Sequence, residues 1–311
     1  VAPWLEALAE GPPGGRALWF HAADGVRLRA VLWPRAGARG TVLIFPGRTE
    51  HAEKYGRTAA DLAARGFAAA AVDWRGQGLA DRLMADPRAG HVRRFSDYQR
   101  DVDAFLALAA AEGLPQPWHL IAHSMGGAIG LRALSRDLPL QSALFSAPMW
   151  GLLTPMGANR LVGAIAQGAG AIGLRERYAP APATGAECYL LTARPDDNVL
   201  TRDPESLRWM QAHLRAEPRL VLAGPTLGWL AAALAECRAL KRLPCPAARV
   251  LVVYGTQELV VDVPAIRERL VACPAWTGIA VEGARHEVLM EAPSVRAAVL
   301  NRATALFAPY G

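Results

Sequence analysis

Lysine is almost missing from this chain. Of its 34 basic residues only Lys54 and Lys241 are lysine, so the net charge of +6 is carried by arginine. The arginines are scattered, with no run longer than a pair such as Arg93-Arg94. A nucleic-acid-binding face or tail would cluster them, so no nucleic-acid partner is expected. The surface reads instead as solvated and Arg-rich, compatible with mild attraction to an anionic membrane. Cysteine is also scarce. Cys188, Cys237, Cys245 and Cys273 form no C-x-x-C pair and have no histidine at zinc-finger spacing. Structural, reduced thiols are expected rather than a metal site or a disulfide. No apolar run reaches the roughly 18 residues of a membrane-spanning helix. No basic segment followed by an apolar core opens the chain, so no secretory leader is expected. Together these absences point to a soluble, cytoplasmic protein, at most peripheral to a membrane.

What the chain has in plenty is apolar residues, 52% against 20% charged, which is a globular profile with enough length to bury a large core. Residues 18–33 alternate in polarity about Asp24-Gly25 and read as a hairpin. Short apolar strands are predicted at 41–45, 67–72, 118–121, 142–146, 250–254 and 278–281. Between them, helical spacing covers 52–65, 97–111, about 125–134, 264–271 and 294–306. Strand–helix alternation with right-handed crossovers implies an α/β fold with a mostly parallel central sheet flanked by helices. The rhythm fails between 151 and 240. That stretch carries a helical stripe at 161–174 (Leu161, Ile165, Ile172), a helix opened by the N-cap pair Asp203-Pro204, and a third helix at 226–241. The expected organisation is a core of residues 1–150 and 241–311 with a helical cap, 151–240, inserted between strands.

The stretch WHLIAHSMGG, residues 118–127, carries the first chemical signal. An apolar strand runs into small residues that can open a helix, with Ser124 between. A serine on so sharp a strand-to-helix turn projects out of the sheet, and the turn tolerates only small residues two before and two after it. Here those are Ala122 and Gly126. A serine hydroxyl needs a base. His286, in the loop after the last predicted strand, is the candidate, because this architecture orders its groups Ser, acid, His. Glu258, on the loop after the strand ending at Gly255, is the candidate acid that orients the imidazole. Asp262 and Glu287 are rivals; Asp262 reads as a helix cap, and Glu287 adjoins the histidine too closely to face its Nδ1. An oxyanion hole needs two converging N–H groups. Met125, following the serine, and Arg48, in the loop after the third strand, are the expected donors, with Glu50, His51 and Tyr55 bracing that loop.

In order, PGRTEHAEKYG, DWRGQG, AHSMGG, SAPMW, GTQE and GARHEVLME resemble the α/β-hydrolases, and most closely their monoacylglycerol lipase and bacterial lysophospholipase branch. The stretch PESLRWMQAHLRAEPRLVLAGPTLGWLAAAL is similar to the cap of the lysophospholipase-like members. Three positions depart from the pattern: Ala122 for Gly at the elbow, Pro46 for His in the oxyanion loop, and Glu258 for the commoner Asp. The resemblance implies a serine hydrolase that cleaves carboxylic esters of single-acyl-chain lipids, lysophospholipids or monoacylglycerols, through an acyl-enzyme, without cofactor or metal. Trp150, Met156 and Trp229 are candidate pocket walls, and the cap could touch a membrane transiently. The alternatives are an aminopeptidase or acyltransferase on the same fold, with Glu187, Asp196 and Asp197 as possible amine-binding acids, and a non-catalytic hydrolase-fold binding protein.

Overall fold

Eight strands build one sheet: β1 (Arg16–His21), β2 (Arg27–Trp33), β3 (Thr41–Phe45), β4 (Ala68–Asp73), β5 (Trp118–His123), β6 (Leu140–Ser146), β7 (Arg249–Gly255) and β8 (Thr277–Val281). Their spatial order in this computed structural model is β1-β2-β4-β3-β5-β6-β7-β8. The structure describes residues 1–153, 168, 173–180 and 185–308. β1 and β2 form the antiparallel hairpin, and β2 pairs antiparallel with β4. Every later pairing is parallel. β3, β4 and β5 are buried along their whole length, which is why they read as continuous apolar runs rather than alternating ones.

Among the described residues the α-helices are α1 (Glu6–Ala9), α2 (Gly56–Ala64), α3 (Asp97–Ala111), α4 (Met125–Leu134), α5 (Tyr189–Thr192), α6 (Pro204–Ala216), α7 (Leu227–Leu240), α8 (Val263–Ala272) and α9 (Pro293–Phe307). Successive strand residues point to opposite faces, and the core divides accordingly. Leu43 and Phe45 pack with Phe105 and Ile129 of α3 and α4. Val42 and Ile44 pack with Leu62 and Phe307 of α2 and α9. Two buried arginines fasten the loops at the strand ends. Arg29 bridges Asp73 and Glu53, and Arg75 bridges Asp24 and Asp101.

Between β6 and β7 the described residues contain helices and isolated bridges only. Asp203 accepts from the Ser206 amide at 3.0 Å and so caps α6; Thr226 accepts from the Trp229 amide at 3.1 Å and caps α7. α7 is joined to the sheet's own core, where Trp229, Ala233 and Leu240 share an apolar cluster with Ile129 and Trp150. Arg132 of α4 pairs with its Glu236. The predicted stripe at 161–174, with Leu161, Ile165 and Ile172, and the pocket candidate Met156 lie outside the described residues.

One expectation from the sequence is corrected. Cys245 and Cys273 are disulfide-bonded, with an S–S distance of 2.04 Å; only Cys188 and Cys237 are free. The bond joins the loop before β7 to the C-cap of α8, two segments 28 residues apart that the β7–α8 unit folds back together. Local spacing could not reveal that return.

Candidate active site

Ser124 stands between β5 and α4 with φ 49° and ψ −116°, a conformation rare for a residue with a side chain. Three backbone hydrogen bonds hold it there. Its N–H donates to the Ser146 carbonyl at 3.0 Å, and its own carbonyl accepts from Gly127 and Met149, each at 2.8 Å. Position 126 admits only glycine, because a Cβ there would lie 2.0 Å from the Phe45 carbonyl oxygen. The alanine at 122 has its own explanation. A Cβ at position 130 of α4 would stand 3.2 Å from the Ala122 methyl, so Gly130 leaves the room that Ala122 fills.

His286 is buried beside this turn. Its Nε2 lies 3.0 Å from Ser124 Oγ and its Nδ1 lies 2.8 Å from Glu258 Oε2. The other Glu258 oxygen accepts from the Val260 and Val261 amides at 2.6 and 3.1 Å. The Glu258 side chain has no solvent exposure. Burial pushes its pKa up, but the His286 imidazole and the hydrogen bonds outweigh this and hold it below the ordinary carboxylate range. Sequence and structure thus bring Ser124, Glu258 and His286 together at the C-terminal ends of β5, β7 and β8. Asp262 occupies the N-cap position of α8 without a capping side-chain bond. Glu287 faces away from His286 Nδ1 and pairs with Lys54 at 2.6 Å.

The loop after β3 turns at Thr49, whose φ is 67°. Trp74 Nε1 donates to the Pro46 carbonyl at 3.0 Å and Gln77 Nε2 to the Gly47 carbonyl at 2.7 Å. The Gly47 N–H is taken by Glu50. The next amide along, Arg48 N–H, makes no hydrogen bond among the described residues. Met125 N–H is the first amide of α4, where no intrahelical acceptor exists.

Behind these two amides lies a buried ionic network that sequence reasoning found only in part. Glu50 also accepts from Tyr55 Oη at 2.6 Å and from Lys54. Lys54 therefore sits between Glu50 and Glu287. His123 donates from Nδ1 to the Ser146 carbonyl at 3.0 Å, and its Nε2 faces Glu287 and Glu50 at 3.4 and 3.7 Å. Burial lowers the pKa of this imidazole, but the two carboxylates outweigh it and the net shift is upward. Glu50, His123 and Glu287 also have the spacing of a metal-ligand set; the Lys54 ammonium already supplies their positive charge. His51 is buried, and its Nε2 meets His213 Nδ1 of α6 at 2.8 Å. Burial holds both imidazoles at low pKa, His213 at about 4, so one neutral ring donates to the other. The only local signal for the network was the i, i+4 pair Glu50 and Lys54.

Ser124 and His286 open into a cavity of about 240 Å³ walled by Met149, Leu152, Leu222, Trp229 and Val261. Trp150 is a correction. Its indole donates to the Gly127 carbonyl at 3.2 Å and packs against Phe145 and Trp276, so it lines a different cleft. Of the three amine-binding candidates, Glu187, Asp196 and Asp197 are all exposed and none lines the Ser124 cavity.

Residues 36–293 match the serine aminopeptidase S33 family. The chain is 32% identical over 295 residues to lysophospholipase L2 of Escherichia coli, covering 91% of this chain and 84% of that protein. It is 28% identical over 280 residues to the probable lysophospholipase L2 of Haemophilus influenzae, covering 88% and 85%. Among solved structures it resembles a soluble variant of monoglyceride lipase from Saccharomyces cerevisiae in complex with a substrate analog. The TM-score is 0.70 at 20% identity, over 92% of this chain and 93% of that one. A thermostable carboxyl esterase from Bacillus coagulans gives 0.74 at 14% identity, over 95% and 98%. At such identities the structural likeness speaks for the fold.

Proposed function

This chain belongs to the serine aminopeptidase S33 family of α/β-hydrolases, and from that premise we propose that it hydrolyses carboxylic esters of single-acyl-chain lipids through an acyl-enzyme on Ser124. In this reading His286 Nε2 takes the Ser124 proton as Oγ attacks the acyl carbonyl. The Arg48 and Met125 amides receive the negative charge that develops on the carbonyl oxygen; one such donor is worth about 10²–10³ in rate. The imidazolium, steadied by Glu258, gives its proton to the departing alcohol. Water then attacks the acyl-enzyme by the same route, releasing the fatty acid and restoring Ser124. Residues 151–240 act as a cap that supplies Trp229 and Leu222 to the acyl-chain cavity. Relatives that are named lysophospholipases at 28–32% identity support the substrate class.

The observation that carries the ester reading over the aminopeptidase one is the charge of the cavity. An aminopeptidase needs an unpaired carboxylate for the substrate amine. The acidic side chains lining this cavity, Glu50 and Glu287, are both already ion-paired with Lys54 and also face His123 Nε2, so neither is an unpaired carboxylate. Fatty-acid release from lysophosphatidylcholine and monoacylglycerol should therefore exceed cleavage of an aminoacyl amide by orders of magnitude. Predominant amide cleavage would overturn the lipid assignment.

Glu258, rather than Glu287, is the acid of the set. Glu258→Gln is expected to lower kcat by about 10⁴, the scale seen when a triad carboxylate becomes an amide and the imidazole loses its tautomer. Glu287→Gln should lower it far less, and the reverse ranking in steady-state assays on a short-chain ester would reassign the role.

Among the described residues no helix is long and apolar enough to cross a membrane. Contact with a membrane surface is proposed near exposed Leu153 and Leu259, whose segments are joined by the Leu153 amide donating to the Val260 carbonyl. A cytoplasmic location has the Cys245–Cys273 bond against it, because disulfides persist in oxidising compartments.

A further inference from the structure

Ester chemistry uses the backbone of Arg48 and leaves its side chain unexplained. Arg48 lines the same cavity as Ser124, as do Ala223, Gly224 and Trp229. Its Nη1 and Nη2 donate to the Ala223 and Gly224 carbonyls at 3.0 and 2.9 Å, and it lies 5.0 Å over the Trp229 ring. Its Nε is buried and has no hydrogen-bond partner among the described residues. Three buried cations elsewhere are each held between two carboxylates, Arg29 by Asp73 and Glu53, Arg75 by Asp24 and Asp101, Lys54 by Glu50 and Glu287, whereas Arg48 is partly buried and has no carboxylate partner among the described residues. Residues 154–167, 169–172, 181–184 and 309–311 contain no Asp or Glu either, so no acidic side chain from those stretches can complete it. Arg82 and Arg269 are likewise held by carbonyls, but neither lines the Ser124 cavity. Burial without a counter-charge lowers the Arg48 pKa to about 10, which still leaves it cationic at neutral pH.

We propose that the Arg48 guanidinium binds the phosphate of a lysophospholipid substrate, so that the enzyme prefers lysophospholipids to monoacylglycerols. This rests on the ester-hydrolase reading of the same cavity. Arginine carries five N–H donors in a planar fork. Two are spent on carbonyls, and the three left include the orphaned Nε–H, enough for a bidentate hold on a phosphodiester. One residue would thus touch both ends of the glycerol unit. The Arg48 amide faces the acyl carbonyl oxygen, and the side chain of the same residue reaches toward the cap, where the phosphate lies. A monoacylglycerol offers a neutral hydroxyl at that point and leaves the charge without a counter-ion.

The test is the ratio of kcat/KM for lysophosphatidylcholine to that for monoacylglycerol of the same acyl chain. It is measured in the wild type, Arg48→Lys and Arg48→Gln. The position-48 amide is present in all three, so the ratio, not the rate, reads the side chain. Arg48→Gln should lower the ratio by about 10- to 100-fold, with Arg48→Lys between. Cleavage of both esters with an unmoved ratio would overturn the proposal and leave the ester reading intact; cleavage of neither ester by wild type would overturn the ester reading itself. Competition in the wild type gives a second readout that needs no variant. Glycerophosphocholine should inhibit at a concentration at least about tenfold lower than glycerol does. Equal inhibition by the two would sink the proposal. Inhibition by inorganic phosphate as strong as that by glycerophosphocholine would reassign the site to a free anion.

Discussion

Ser124→Ala and His286→Ala should each lower kcat for ester hydrolysis by about 10⁶, and the double variant should be no worse than either single one. The reason lies in the geometry. The 3.0 Å contact between Ser124 Oγ and His286 Nε2 makes the two side chains one proton-transfer unit. Without Oγ the imidazole has no proton to take, and without the imidazole Oγ stays a neutral, poor nucleophile. What remains in every variant is the pair of amides at Arg48 and Met125, which can still polarise a bound carbonyl for attack by water. That residual explains why removal of the second partner costs nothing more. Single-turnover assays on a short-chain ester measure the effect, and a fluorophosphonate probe should label the wild type but not Ser124→Ala. Losses that add in the double variant would mean that the two residues act separately. Both variants should keep the wild-type fold, since the Ser124 turn is held by backbone bonds to Ser146, Gly127 and Met149 rather than by its hydroxyl.

How much of this was legible in the sequence follows from the distance over which each signal acts. The strand–helix alternation, the hairpin at Asp24-Gly25 and the helix opened by Asp203-Pro204 are local patterns, set by burial on one or two faces and by caps. The parallel sheet follows from them. Ser124 could be singled out because its turn demands small neighbours within two residues. The arrangement around it was less accessible. Lys54 meets Glu287 across 233 positions of sequence, and Cys245 meets Cys273 only because β7 and α8 fold back on one another. Trp150 shows the opposite failure. An aromatic just past a strand end can turn toward the substrate or beneath the elbow, and the choice was made by the Gly127 carbonyl, which only the folded chain presents to its indole N–H. The tolerance of Ala122 depends in the same way on Gly130, eight residues on and one helical face away.

Lys54→Met is expected to be the most destabilising single change near the site. The ammonium is buried and holds Glu50 and Glu287, both buried themselves. Removing one partner of a buried ion pair leaves uncompensated charge, at a cost of about 3–5 kcal/mol, or a thermal midpoint roughly 5–8 °C lower for a chain of this length. The loss must depend on pH. Burial pushes the Glu287 pKa up, yet Lys54 and His123 together carry it well below the usual carboxylate range. A carboxylate whose folded pKa is depressed contributes stability that is fully present above its unfolded pKa and disappears as pH falls through the folded one. In Lys54→Met that depression is relieved, so the gap in midpoint between wild type and variant should be widest near neutrality and should narrow as pH falls below the ordinary glutamate value of about 4.3. Adding Glu287→Gln to Lys54→Met should recover part of the lost stability, because it removes one of the two stranded charges. A gap that is constant with pH would show that Lys54 acts through packing alone. Activity should fall along with stability, because Glu50, once free of Lys54, no longer fixes the Gly47 N–H that holds the Arg48 amide toward Ser124.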